Sequence, residues 1–561
     1  METLDWIVLS STLMFIVIYG AYKTRGSETV KDYLLDNNST PWFTVGLSVM
    51  ATQASAITFL STPGQAYHDG MGFIQFYFGL PLAMIVIAFT FIPIYHKLKV
   101  YTAYEFLEQR FDLKTRSLAA VLFLIQRGLV IGLTIYAPAI ILSTVLGWNL
   151  MLVNVIIGAS IIFYTVLGGT KALNVTQKQQ MFVIMSGLVI TFFLILSYLP
   201  EELNFSNALH IAGANDKMNI LDFSYNPETR YTFWSGITGG FFLMLSYFGT
   251  DQSQVGRYLS GKSVRESQMG LIMNGILKVP MQFFILLTGV LVFVFFQFNS
   301  TPLHFNPTSV KKVKQSEYAT DYNQLESKLE ALTIDKKVVN QLYIEQLNNN
   351  EYDNPTLKQQ MIVLSQQEKE LRNDAKILIK KADDKIETND KDYVFLYFIL
   401  NYLPKGLLGL LLAVILSAAM SSSASELNSL AATTAIDIYK RNTSEKTEKH
   451  YVRATQFFTL TWGIIAIIFA CIGPLFDNLI QLVNIIGSVF YGTVLGIFLI
   501  AFYIKYIKGT AVFYGACISQ LIIFYIFYLE VVSYLWLNFI GAVLTISIAV
   551  VIQKTQKPKI A

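Results

Sequence analysis

Charge is what this chain has least of: Asp, Glu, Lys and Arg together make up 14% of its 561 residues, against about 25% in a soluble domain. A chain so poor in charge cannot clothe a water-facing surface of its own size. The net charge of +4 is small for the length, and it is spread over short loops, so a nucleic-acid partner is excluded. Cysteine is scarcer still. Cys471 and Cys517 both lie in apolar runs and read as packed thiols, with no disulfide framework and no metal-binding spacing. His68, His96, His210, His304 and His450 stand singly, so neither a ligand cluster nor a nucleophile with its base is visible, and a membrane enzyme is the weaker reading. What fills the chain instead is hydrophobic: 53% of residues, for a mean hydropathy of +0.47.

Apolar runs of about 20 residues cross about 30 Å of hydrocarbon, and about thirteen are found. They cover 5–22, 43–66, 73–96, 117–146, 150–168, 174–199, 233–256, 268–298, 402–437, 453–474, 477–504, 509–529 and 533–552. The first run has Glu2 and Asp5 at its head and no small-residue cleavage site, so it reads as a helix and not a signal peptide. An all-α integral membrane protein follows. Lys23, Arg25 and Lys31, Lys97 to Lys114, Arg257 to Arg265, Lys440 to Lys446, Lys505 and Lys508, and the tail "QKTQKPKIA" all fall on one side if the N-terminus is outside. The positive-inside rule makes that side cytoplasmic. The expected location is the inner (plasma) membrane, with a cytoplasmic C-terminus about ten residues after the last helix, too short for a signalling domain. The polar stretch 300–394 then lies outside, and its Leu, Ile and Val recur at three and four, as in a small helical cap with Pro355 as a break.

Oxygen-rich residues interrupt three of the spans. In "ILSAAMSSSASELNS" (415–429), Ala418, Ser421 and Ser422 stand at i, i+3 and i+4, so a carbonyl and two hydroxyls share one face. In "GLSVMATQASAITFLSTPGQAY" (46–67), Gln53, Thr58, Pro63 and Gly64 break the apolar pattern, which at membrane depth is tolerated only beside protein or a cavity. In "WSGITGGFFLMLSYFGTDQSQVGR", Gly236, Gly239 and Gly240 precede Tyr247 and Asp251. Paired interruptions of this kind point to an inverted repeat with its site at the midplane. Arg127 sits about 15 Å into its span, and an intramembrane arginine is a functional-site hypothesis by default. It either forks onto a substrate carboxylate or forms an ion pair, with Asp251 a partner.

Together with "TIYAPAIIL" and "FYTVLGGTKA", these stretches resemble the sodium:solute symporter family, most of all the branch of monocarboxylate, multivitamin and iodide transporters. The likeness covers about 1–300 and 395–510. It implies a LeuT-like core of two inverted five-helix repeats working by alternating access. The chain divides accordingly: 1–40, a first helix and cytoplasmic loop; 41–299, the first repeat and start of the second; 300–394, the outer insertion; 395–504, the rest of the second repeat; 505–561, peripheral helices and tail.

The same resemblance implies a sodium-coupled symporter importing a small organic solute, expected to be an anion. Proton coupling or a transporter-like sensor is the alternative within the fold. Carried over by position, Na+ takes the carbonyls of Ala51, Ala54 and Ala418 and the hydroxyls of Ser421 and Ser422. Sugar carriers keep a glutamate, asparagines and a glutamine where this chain has Tyr77, Gln53, Met244 and Thr58, so a hexose is not expected. Gln53, Thr58, Tyr77, Arg127, Tyr247, Phe248, Lys278, Gln481 and Asn484 are the expected solute contacts. Lys278 matches a family lysine that reaches the substrate. Many members carry an aspartate where this chain has Gln177, beside Lys178, which implies one sodium per cycle; an ammonium at Lys178 either snorkels to the interface or reaches toward Ser421 and makes the carrier proton-linked. The partners expected are the solute and the bilayer, with oligomeric state open.

Overall fold

A computed structural model describes residues 2–23, 29–349, 354–384, 386, 388–404, 406–472 and 479–555. Arg25 and residues 556–561 of the basic tail lie outside them. Every long apolar run is helical, because a backbone in hydrocarbon must satisfy its hydrogen bonds within the segment. In chain order, α1 (Thr3–Lys23) and α2 (Val30–Leu35) precede α3 (Trp42–Gln53) and α4 (Ala56–Asp69). A 3-10 stretch, Gly70–Tyr77, leads to α5 (Leu80–Val86), α6 (Ile92–Leu98), α7 (Glu105–Arg110) and α8 (Leu113–Leu146). Then come α9 (Leu150–Ser197), α10 (Phe205–Ala214), α11 (Phe241–Thr250), α12 (Gln252–Leu259) and α13 (Val264–Phe298). The polar insertion supplies α14 (Pro307–Lys314), α15 (Ala319–Asn348) and α16 (Pro355–Ala382). The chain closes with α17 (Lys391–Tyr402), α18 (Leu407–Thr433), α19 (Lys440–Asn442), α20 (Glu448–Ile472), α21 (Leu479–Tyr503), α22 (Gly509–Leu529) and α23 (Tyr534–Thr555).

Among the described residues nine helical segments are long and apolar enough to cross a membrane, with Thr3–Phe15 and Leu150–Val166 as shorter apolar pieces. Phe163, Phe182, Leu521 and Tyr528 are more than two-thirds exposed, a surface that lipid tolerates and water does not. The spans expected at 150–168 and 174–199 are one helical stretch, α9, yet the Tyr164 and Thr176 hydroxyls meet at 2.5 Å. Twelve residues of straight helix rise about 18 Å, so the stretch is bent between them. Both cysteines are half-buried and not, as expected, packed in the core.

The first break falls at Ala54 and Ser55, whose backbones leave helical geometry. Pro63 and Gly64, expected to cause it, lie within α4. There Gly64 admits the Lys391 backbone so closely that a Cβ would stand 1.8 Å from its carbonyl oxygen. The second break falls at Asp251, extended between α11 and α12. Gly236, Gly239 and Gly240 lie upstream of it in a π-turn, Ser235–Gly240, where they let the Gln75, Leu535 and Phe76 carbonyls pack within 2.0–2.6 Å of where a Cβ would be.

The pair α3 and α4 runs between two chemically different ends. At the start of α3, Thr40 bridges to Gly261, and Lys31, Lys99 and Lys262 line a cavity there. At the far end of α4 stands the insertion cap. Its own core joins Leu303, Val313, Tyr322, Leu325, Leu329, Ala375 and Ile379, and Pro355 opens α16 at its first turn. Side-chain bonds dock it on the membrane part: Asn207 to Asn348 at 2.7 Å and Ser365 to Asn215 at 2.5 Å.

Beneath the cap, Glu368 accepts from Lys336 at 2.5 Å and from Arg372 at 2.9 Å, while Arg372 also donates to the Pro302 and Leu303 carbonyls. Burial works to raise the Glu368 carboxyl, but Lys336 and Arg372 outweigh it and hold the group well below the carboxylate range. A folded-state value depressed in this way stabilises above the unfolded value of about 4.3 and is lost as pH falls below it. The cap is therefore expected to open to pepsin as pH drops below about 4, while Glu368→Gln shows the weaker cap already at neutral pH and a flatter pH profile. A parent cap whose protection is unchanged down to pH 2 would refute this.

Candidate functional site

Two polar clusters meet where α3 and α4 break against α18. The first lies on the side of α3. A helix leaves its last carbonyls without intrahelical partners, and the α3 carbonyls end at the break, where Met50 is capped by the Ala54 N–H at 2.8 Å and Gln53 by the Thr58 hydroxyl at 3.4 Å. Ala51, Ala54 and Ala418 are all at most 1% exposed and share one packed cluster with Met50, Phe59, Met181 and Ile285. On α18 the Ser422 hydroxyl donates to the Ala418 carbonyl at 3.1 Å and to the Ala419 carbonyl at 3.4 Å. The Ser421 hydroxyl is buried and has no hydrogen-bond partner, which is costly unless something else binds there. The five expected sodium ligands are thus on two adjoining elements, with one oxygen free.

Next to them Thr52 and Gln177 join the helices. Thr52 donates to the Ser425 hydroxyl at 3.3 Å. The Gln177 amide donates to Ser425 at 3.0 Å, and its oxygen accepts from Ser48 at 2.5 Å. The network continues through Ser48 and Asn174 (3.1 Å) to Thr40 (3.2 Å), at the basic end of α3. Lys178, in contrast, is exposed. Neighbouring helix positions differ by about 100°, so with Gln177 turned inward Lys178 faces outward, and the expected alternative in which it reaches Ser421 is not met.

The second cluster borders a small cavity of about 80 Å³. Gln53, Thr58, Tyr77, Arg127, Tyr247 and Asn484 line it, as expected, together with Met244, Tyr491, Thr134 and Glu426. Three expected contacts do not. Phe248 is fully buried behind Tyr247, ring centroids 4.8 Å apart. Gln481 stands toward the cap end of α4, accepting from Arg230 at 2.7 Å and donating to Gln65 at 3.1 Å. Lys278 is fully buried, its ammonium without a hydrogen-bond partner and outside the cavity lining. The substrate contact expected of it is therefore not met in this conformation.

Arg127 is 14 residues into α8, which begins at Leu113, about 21 Å along its axis. One guanidinium nitrogen donates to Glu426 at 3.0 Å; the other donates to Asp251 and to the Tyr491 hydroxyl, at 2.7 Å to the latter. Tyr491 donates to Asp251 at 2.9 Å, and the guanidinium lies 5.4 Å from the Tyr247 ring centre. Asp251 reaches this point because it caps α12 with its other oxygen, held by the Ser253 N–H and hydroxyl. Thr134 donates to Glu426 at 3.3 Å and accepts from Ser423 at 2.9 Å. The ion-pair alternative for Arg127 is thus what the side chains form, with Glu426 as a second carboxylate. Only Nε lacks a partner. Glu426 could have been singled out as a carboxylate inside an apolar span; nothing in the sequence marks Tyr491.

Fold and site together define a class: an all-helical membrane protein of inverted repeats, whose two broken helices flank a central cavity. A sequence profile of the sodium:solute symporter family matches residues 33–329 and 379–522, and the chain belongs to that family. The described residues between the two matched segments lie in the cap. The chain is 34% identical over 273 residues to sodium-coupled monocarboxylate transporter 1 of Xenopus laevis, covering 48% of this chain and 43% of that protein. It is 30% identical over 273 residues to the human sodium/iodide cotransporter, covering 48% and 42%. The matched segment thus spans less than half the length of these relatives. The structure of a Na+-coupled sialic acid symporter in a substrate-bound outward-open state superposes with a TM-score of 0.76 at 21% identity, covering 99% of both chains, and carries the same LeuT-like fold.

Proposed function

We propose that the protein is a sodium-coupled symporter that imports a small organic solute by alternating access, with the N-terminus and cap outside and the basic loops in the cytoplasm. The observation that carries this reading is the break at Ala54 and Ser55, set against α18 where the buried Ser421 hydroxyl lacks a partner. Five neutral oxygens, from Ala51, Ala54, Ala418, Ser421 and Ser422, suit a monovalent cation, since divalent ions favour carboxylates. The ion is cargo here, bound weakly enough to be released inside.

The solute occupies the adjoining cavity, where Gln53, Thr58, Tyr77 and Asn484 offer amide and hydroxyl groups and Tyr247 an aromatic wall. An organic anion is the proposed class, supported by the monocarboxylate carriers among the relatives; the iodide carrier supports the negative charge alone. Since Arg127 is already held by Asp251 and Glu426, it acts on the anion through its free Nε or after releasing Glu426. Uptake into proteoliposomes under an inward sodium gradient, screened over monocarboxylates, amino acids, sialic acid and nucleosides, tests the reading. No sodium-dependent uptake of any anion would overturn it.

Gln177 bears on stoichiometry. Its carboxamide satisfies Ser48 and Ser425 without the negative charge that a second cation at this position would need. Uptake is therefore expected to rise with sodium along a simple hyperbola, with a Hill coefficient near one; a coefficient near two would show a second coupled ion.

A further inference from the structure

A second cavity, of about 450 Å³, lies between the outer end of α4 and cap helix α16. Five cationic side chains line it, Lys217 and Arg372 among them, against the carboxylates Asp69, Asp216 and Glu368. Most of this charge is spoken for: Glu368 is held by Lys336 and Arg372, and Asp69 by Lys391 at 2.6 Å. Among the described residues Lys369 has no ion pair but is exposed; Lys217 is the half-buried cation left without one. Its ammonium donates to the His68 carbonyl at 2.5 Å and lies 4.9 Å from the Phe293 ring centre, but it has no carboxylate within ion-pair distance.

The backbone is built to hold this ammonium in place. The Lys217 N–H donates to the Ala212 carbonyl at 2.9 Å, and its carbonyl accepts from Met71 at 2.8 Å. Gly70, at φ +74°, admits that carbonyl where a Cβ would stand 2.7 Å from it, and Asp216 takes φ +59°. Two left-handed residues, one of them an aspartate that adopts this region only at a cost, thus fix one lysine. Beside it the His68 Nε2 is buried without a hydrogen-bond partner. Burial pushes the Lys217 ammonium down to about 8, Asp69 and Glu368 only partly offsetting it, which is the behaviour of a cation short of an anion. Phe293, Tyr67 and Ile362 supply apolar wall, which favours an anion with a hydrocarbon part over a bare inorganic one.

We propose that the cavity beneath the cap binds one small organic carboxylate, with Lys217 as its charge partner, as an outer docking site for the solute. The site sits above the transport cavity on the same helix: Thr58 lines the lower cavity and Asp69 the upper, about 16 Å apart along α4. Between them Gln65 bonds both Asp69, at 2.5 Å, and Gln481. Docking as a step toward import rests on the symport reading; the binding itself does not.

The test is saturation-transfer NMR with butyrate on the purified full chain in detergent, in sodium-free buffer, where a sodium-linked transport site contributes little. Butyrate is expected to bind the parent and the Ser421→Ala/Ser422→Ala variant equally. Lys217→Gln should weaken it about tenfold or more, and Lys217→Arg should retain it. No butyrate signal from the parent, an unchanged signal from folded Lys217→Gln, or displacement by equimolar chloride would overturn the site. Butyrate binding without sodium-driven uptake of any anion would leave the site standing and sink the symport reading alone.

Discussion

Ser421→Ala combined with Ser422→Ala is expected to abolish sodium-dependent uptake while the protein still folds. The two hydroxyls are two of about five proposed ion ligands, and an interaction with a full charge is worth about 1.5–3 kcal/mol each. Losing both should raise the sodium requirement by more than a hundredfold. The fold has little reason to fail. Both positions are buried, the substitutions are small, and removing the partnerless Ser421 hydroxyl relieves a buried polar group. Ser421→Ala alone tests the site most cleanly, because Ser422 also bonds the Ala418 and Ala419 carbonyls. Sodium-driven uptake in proteoliposomes that is unchanged in the double variant would sink the assignment.

Arg127→Gln is expected to damage the protein itself and not only its affinity for an anion. The guanidinium stands between Asp251 and Glu426, both nearly or fully buried. Taking it away leaves two carboxyl groups without a counter-charge, and breaking a buried pair in this way costs about 3–5 kcal/mol. A lower melting temperature in detergent and loss of uptake should appear together. Arg127→Gln with Glu426→Gln should recover part of the stability, because the second change removes one of the stranded acids. If Arg127→Gln instead melts with the parent and loses only solute affinity, the arginine is a solute ligand and not a strut between helices.

Much of this was legible in the chain. An alanine and two serines at i, i+3 and i+4 in an apolar helix, small residues around "MATQASA", and an arginine at membrane depth are local signals, because an oxygen or a charge in hydrocarbon must have a reason nearby. The cap was readable for the opposite cause, a polar stretch with helical periodicity. Where the reading missed, the deciding contact was distant in sequence. Arg127 meets Glu426, the acid the sequence reading did not pair with it, across 299 positions. Lys278 and Gln481 have helical positions that look like those of their neighbours, and only packing turned them away from the cavity.

By itself the sequence determined the solvent, the helical class, the family likeness and the chemistry of the proposed ion ligands, since hydropathy, periodicity and the oxygen content of a helix face are properties of neighbouring residues. Tertiary structure alone decided where the first helix breaks, that Arg127 is clamped by two acids, that Lys178 faces outward, and that Lys217 lies under the cap without a carboxylate partner. Each of these depends on which helices touch, and a contact between segments hundreds of residues apart leaves no mark in either segment's composition.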